Sequence, residues 1–452
     1  MAELATRSAW TSRWTFIMAT AGSAIGLGNI WKFPYMTGVN GGSAFVLVFL
    51  ACIVLVGIPL MMCEIMLGRR AQKNPLDGMT ALAGEAGAAR HWKWIGGLGL
   101  LTGVLILAFY SVIGGWVIRY IFHASLGSFN GADAGTIAGL FNGMQNSIST
   151  LLIWHTVFTV MTIWVVARGV NHGLETANKI MMPSLFIILL IILMYSVIQG
   201  DFAQAMRFMF TPDFSKITPA AALAALGHAF FSLSLGMGVV MVYGSYLQRS
   251  VSIARTTLYI AIADTLVGLL VGVTIFSLVF AHQLEPSAGP GLIFQTLPLA
   301  FGHMWGGQVI GTLFFILVVF AAWTSSISLI EPAVSWMTEN GLESRAMAAW
   351  LIGGLSWLLG LSVVLSFNEW QNVKLLFGLG IFDTLDQLTT TIMLPLGGLL
   401  MTIFAGWIMK TDHVEEELGL SPRAYRIWRF LIRYITPFAI IAIFMSLLGV
   451  FN

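Results

Sequence analysis

Of the 452 residues, 58% are hydrophobic and 9% charged, whereas a water-soluble chain carries about a quarter charged residues. That excludes a soluble globule. The formal charge of +2 is too small to hold a nucleic acid. The two cysteines, Cys52 and Cys63, lie several helical turns apart in one apolar segment and cannot pair with each other.

A membrane-crossing helix needs about 20 predominantly apolar residues. In chain order, eleven stretches qualify: 13–38, 43–68, 94–122, 150–168, 178–199, 219–247, 256–281, 307–337, 346–366, 374–409 and 428–450. We number them spans 1 to 11. They predict an all-α integral membrane protein. No cleavable signal is expected, because the first stretch is long and contains Asn29 and Lys32. With a cytoplasmic N-terminus, seventeen of the 22 Lys and Arg fall on the inner side, leaving only Lys32, Arg119, Arg207, Lys216 and Lys374 for the outside or the membrane. The positive-inside rule therefore fixes that orientation. An odd number of spans puts the C-terminus outside.

Two spans are interrupted by glycine-rich runs: Gly22-Ser23-Ala24-Ile25-Gly26-Leu27-Gly28-Asn29 in span 1, and Ser232-Leu233-Ser234-Leu235-Gly236-Met237-Gly238 in span 6. Backbone cannot be left unpaired in hydrocarbon, so a break is tolerated only where protein, water or a ligand meets the freed groups. Spans 1–5 (about 10–200) and 6–10 (about 219–409) read as two repeats within a single domain of residues 1–452, with an extra helix at about 428–450. An odd number of spans in each repeat makes their topologies opposite. Interrupted segments in corresponding positions of two such halves point to the central site of a transporter. Glycines also let helices pack closely, but that accounts poorly for two runs that each open a set of five spans.

Residues 22–35, reading GSAIGLGNIWKFPY and followed by Asn40-Gly41-Gly42, resemble the first helix of the neurotransmitter:sodium symporter family. So do Gly57-Ile58-Pro59-Leu60 with Glu64 and Gly68-Arg69, the run from Ser232, and Thr324-Ser325-Ser326. The resemblance implies a LeuT-type fold: a 5+5 inverted repeat with helices 1 and 6 broken. Short termini and a modest loop after span 3 are similar to prokaryotic members, which implies a cell-membrane location. No nucleophile–base pair, metal motif or phosphate loop suggests an enzyme.

What the family implies about the site can be carried over residue by residue. A first sodium site would use Ala24, Asn29, Ser232 and Asp264. A second would use the backbone of Gly22, Ile25 and Ala321 with the hydroxyls of Thr324 and Ser325. Asp264 stands where the family usually has asparagine, and its charge is expected to replace the chloride that many relatives need. Amine-transporting members carry an aspartate at the position of Gly26. Its absence implies a substrate that brings its own carboxylate, such as an amino acid. Amides near Gly26 and the hydroxyl of Tyr110 would hold that carboxylate, with Ala24 nearby. Carbonyls of Phe231 and Ser234 would accept from the amino group, and Ile106, Phe231, Met237, Ser325 and Leu329 would line the side-chain pocket. Lys32 and Asp386 would form an outer gate above the substrate with Phe231 as a lid, and Arg7 and Glu339 an inner one beside Trp10 and Tyr246. Glu64 is expected near the first break, orienting backbone amides, while Glu331 and Asp383 receive no role. The reading is a sodium-coupled transporter of neutral, hydrophobic L-amino acids. A proton-coupled transporter on the same scaffold and a non-transporting sensor are the alternatives.

Overall fold

The computed structural model describes residues 10–285, 291–342 and 344–447. Among them the secondary structure is helical, with no strand. Nine helical stretches of the described residues are long and apolar enough to cross a membrane: Ser43–Ala71, Arg90–Ser125, Ile148–Ala167, Val170–Gln199, Ile253–Ala281, Gly307–Glu339, Arg345–Ser366, Ile381–Ile408 and Pro422–Ser446. These are spans 2 to 5 and 7 to 11. Spans 1 and 6 are absent from the set because both are broken. The first runs Arg13–Ala24, resumes as a π-helical turn Gly28–Lys32 and continues as Phe33–Val39. The second runs Pro219–Ser232 and resumes at Val239–Ser245. Span 10 starts later than expected, at Ile381, because the preceding residues from Lys374 form irregular chain with a short 3₁₀ turn at Leu376–Gly378.

Local signals start both broken spans. Ser12 accepts from the Thr15 amide while the Thr15 side chain accepts from the Ser12 amide, a reciprocal cap on span 1. Thr218 caps the first half of span 6, whose first residue is Pro219. Proline suits that position because its missing N–H has no partner there in any helix.

Span 3 is the axis of the molecule. Its most apolar stretch is 89% buried, against 33% for spans 5 and 11, which are left to face lipid. At one end of span 2 the buried Arg69 guanidinium donates to the Glu417 carboxylate and to the Val251 carbonyl, each at 2.5 Å. It thereby ties span 2 to the helix Thr411–Leu418 and to the loop after span 6. Span 2 also lies against the second half of span 6 at Gly68, where a Cβ would fall 1.8 Å from the Met241 carbonyl oxygen.

This close approach generates a paired prediction. Gly68→Ala is expected to destabilise the protein by at least the ~1–3 kcal/mol typical of overpacking. Gly139→Ala, in an exposed helix where nothing lies within 4 Å, is expected to be neutral or stabilising by about 0.5–1 kcal/mol. Thermal unfolding of the two variants in detergent checks this, and equal midpoints would contradict the packing argument.

Candidate functional site

The first break begins at Ile25, whose ψ of 92° takes the chain out of the helix. In an intact helix the amides of Gly26 and Leu27 would donate to the carbonyls of Gly22 and Ser23. Here the Gly26 amide donates to Asn29 Oδ1 at 3.2 Å, and the Leu27 amide donates to the Tyr110 hydroxyl at 3.0 Å. Two carbonyls are thereby released. That of Ser23 accepts from the hydroxyls of Ser234 and Ser325, both at 3.0 Å. That of Gly22 receives only a long contact from Ser325, at 3.4 Å, so it keeps acceptor capacity for a cation.

The second break begins with a Schellman stop, in which the amides of Leu235 and Ser234 donate back to the carbonyls of Phe230 (3.0 Å) and Phe231 (3.2 Å). The motif puts Ser234 in the left-handed region, at φ 54°, a position usually held by glycine. Gly236 follows at φ 84°, and a Cβ on it would lie 2.1 Å from the Leu394 carbonyl oxygen. Its amide donates to Glu64 at 2.6 Å. Glu64 therefore orients an amide of the second break, not of the first, because span 2 packs along the resumed half of span 6.

Asn29, Ser232 and Asp264 meet between the two breaks. The fully buried Asp264 carboxylate accepts from the Ser232 hydroxyl at 2.7 Å and from Asn29 Nδ2 at 2.9 Å. It pairs with no Lys, Arg or His among the described residues. A buried carboxylate with hydrogen bonds but no countercharge is costly unless a cation joins it. The donors are carboxylate, hydroxyl, amide and backbone oxygens, the hard set that suits an alkali cation. Asn29 presents its nitrogen to Asp264 and its oxygen to Gly26, and that oxygen keeps a second lone pair.

The residues expected at the second sodium site divide into two contacts. Ser325 reaches Gly22 and Ser23, whereas Thr324 donates to the Phe320 and Ala321 carbonyls of its own helix, each at 3.0 Å. Ile25 is fully buried at the start of the break. All nine residues expected to touch substrate (Ala24, Gly26, Ile106, Tyr110, Phe231, Ser234, Met237, Ser325 and Leu329) line one small cavity, which Ser23 and Gly28 complete. No charged side chain lines it.

Above that cavity, Lys32 Nζ lies 3.4 Å from both Asp386 oxygens and 4.8 Å from the centre of the Phe231 ring. Phe231 and Tyr110 separate the small cavity from a larger one that also contains Phe109, Phe382 and Asp383. Of the expected inner gate, Glu339, Trp10 and Tyr246 lie among the described residues. Arg7 lies outside the described residues, and Glu339 accepts from the Asn74 amide at 2.9 Å and from Asn74 Nδ2 at 2.8 Å. The buried Trp10 indole donates to the Tyr243 carbonyl at 3.0 Å, and its ring lies 6.2 Å from that of Tyr246. Glu331, given no role by the sequence, is fully buried, pairs with Arg345 and accepts from the Tyr246 hydroxyl at 3.0 Å. An isolated acid deep in an apolar run was the available signal. Its partners lie on spans 6 and 9 and could not be read from spacing.

The sequence matches the profile of the Sodium:neurotransmitter symporter family over residues 7–131 and 137–452. It is 36% identical to the uncharacterized sodium-dependent transporter YhdH of Bacillus subtilis (strain 168), over 98% of both chains. Identity to the sodium-dependent neutral amino acid transporter SLC6A17 of Rattus norvegicus is 27%, over 53% of this chain and 36% of that one. The crystal structure of MhsT in complex with L-phenylalanine superposes with a TM-score of 0.90 at 40% identity, covering 97% of this chain and 99% of that one. The fold is thus LeuT-type.

Sodium is expected to raise the thermal unfolding midpoint relative to choline, since a ligand bound only by the folded state stabilises it. Asn29→Ala should shift the sodium concentration for half of that effect upward by about ten-fold, the loss of one charge-assisted contact. An unchanged sodium dependence would remove Asn29 from the site.

Proposed function

Because the chain belongs to the sodium:neurotransmitter symporter family, as a sodium-dependent membrane transporter and not an enzyme, we propose that it uses inward sodium flow to take up neutral, hydrophobic L-amino acids. The observation that carries this reading is the small cavity at the meeting of the two breaks, lined by no charged side chain. An acidic or basic side chain would be buried there without a partner, at a cost of several kcal/mol or more. Gly26 cannot neutralise an ammonium, so a bound amine needs its own carboxylate. The L-phenylalanine held by MhsT and the neutral amino acids named for SLC6A17 agree with that chemistry.

Two sodium ions are proposed. Asp264, Ser232, Asn29 and the Ala24 carbonyl would hold the first, and Gly22, Ile25, Ala321, Thr324 and Ser325 the second. Bound sodium would supply positive charge beside the substrate carboxylate and the Asp264 carboxylate. Asp264 carries within the protein the negative charge that chloride would otherwise provide, so transport proceeds without chloride. Met237 adapts the pocket to side chains of different shape. The Lys32–Asp386 pair with Phe231 closes the outer side. A lysine makes no bidentate fork with a carboxylate, so this gate biases an equilibrium instead of locking it. The two repeats, about 10–200 and 219–409, rock about the site in a cell membrane with the N-terminus in the cytoplasm.

Uptake by proteoliposomes of a panel of amino acids tests the reading. Phenylalanine and leucine are expected to accumulate only under an inward sodium gradient, equally in chloride and gluconate, while glutamate and lysine are excluded. Uptake driven by a proton gradient alone would favour the proton-coupled alternative. Binding without uptake would favour a sensor, and a strict chloride requirement would overturn the role of Asp264. In the same assay Gly26→Ala is expected to reduce phenylalanine uptake at least ten-fold. Its Cβ would fall 2.4 Å from Ser325 Oγ and 2.8 Å from the Tyr110 hydroxyl, filling the cavity.

A further inference from the structure

Beside the two proposed ion sites lies a cluster of four serines, of which Ser325 belongs to the second ion site and Ser234 to the expected substrate contacts, while Ser23 and Ser328 are assigned to neither. The Ser23 carbonyl, released by the first break, accepts from Ser234 of the second break and Ser325 of span 8, both at 3.0 Å. The Ser23 hydroxyl meets the Ser328 hydroxyl at 2.7 Å, and the Ser328 hydroxyl donates to the Ser325 carbonyl at 2.7 Å. All four residues are buried.

The cluster closes a ring. Ser328 is held by the Ser325 carbonyl and holds the Ser23 side chain, while the Ser23 main chain orients the Ser325 hydroxyl. With its proton given to the Ser23 carbonyl, the Ser325 oxygen retains lone pairs that could serve the second sodium proposed beside Gly22. The same carbonyl fixes Ser234, so one acceptor sets two hydroxyls. One of them faces only the substrate cavity, and the other faces both the cavity and Gly22. Ser234 keeps a left-handed backbone unusual for a residue with a side chain, and the bond to Ser23 is a contact that glycine could not make.

We propose that the Ser23–Ser328 hydroxyl pair is a positioning element that couples occupancy of the substrate cavity to sodium binding at Gly22 and Ser325. Ser328 touches neither ligand. It acts by holding Ser23, through which a shift of Ser234 on substrate binding is passed to Ser325. This rests on the transport reading above, and reciprocity requires that substrate tighten sodium as much as sodium tightens substrate.

The experiment measures sodium dependence of L-phenylalanine binding by purified full-length protein, together with the thermal midpoint in sodium without phenylalanine. Ser328→Ala is expected to raise the half-saturating sodium concentration for phenylalanine binding roughly three- to ten-fold, the span of one buried hydrogen bond. Phenylalanine affinity at saturating sodium should fall by the same factor, whereas the sodium dependence of the thermal midpoint without phenylalanine should change less than two-fold. Ser328→Thr, which restores the hydroxyl, should return the sodium dependence to that of the parent. The double variant Ser23→Ala/Ser328→Ala should be no worse than the more affected single variant, as for two partners in one contact. An unaltered sodium dependence in Ser328→Ala, equal damage in the threonine variant, or additive effects of the two alanines would each overturn the coupling role. Absence of any sodium effect on phenylalanine binding by the parent would instead defeat the transport reading itself. The two failures are therefore distinguishable.

Discussion

A peptide group released inside a membrane has no water to turn to, and its partner must be supplied by the fold. In this protein that constraint organises the centre. Two amides leave the helix of span 1 and are met by Asn29 and Tyr110, and one amide of span 6 is met by Glu64. Each diversion frees a carbonyl or fixes a loop. The packing of spans 2, 3 and 8 around the breaks is the means by which those groups are met, and the cavity is what remains between them.

The same rule explains how the charges are distributed. Buried Glu331 has Arg345, and buried Arg69 has Glu417. Of the five carboxylates buried among the described residues, Asp264 alone has neither a basic side chain nor a backbone amide among its contacts. Glu64 at least takes the Gly236 amide. A carboxylate in that position attracts a cation more strongly than any neutral ligand set could. The sodium site proposed there would therefore be inseparable from the charge balance of the protein.

Much of this was legible in the sequence, and the reason is periodicity. Apolar runs of membrane length mark the spans, and glycine runs within two of them mark the breaks without any partner being known. The membership of the cavity was readable only through the family resemblance, which carries Gly26, Tyr110, Phe231 and Ser325 over position by position. Pairings between distant segments were not readable. Nothing in the spacing of Glu64 tells whether its amide lies on span 1 or on span 6, and nothing local joins Glu331 to Arg345 and Tyr246. The turn of the Asn29 amide toward Gly26 depends on which neighbours compete for it, a property of the assembled site. Ser328 lies one helical turn beyond Ser325 and so could have been suspected, but its partner Ser23 sits 305 positions away.

The break in span 1 also bears on how the chain is made. Synthesis proceeds from the N-terminus, so the partners of a freed group become available in chain order. Leu27 has only to wait for Tyr110 in span 3, and Gly26 has a partner three residues on. The Ser23 carbonyl waits for Ser234 and Ser325, 211 and 302 residues later. Span 6 meets a different situation, because Glu64 is already in place when Gly236 leaves the ribosome. The second break can be clamped as it enters the bilayer. The Ser23 carbonyl of the first gains one partner only when Ser234 is made and its second only with Ser325.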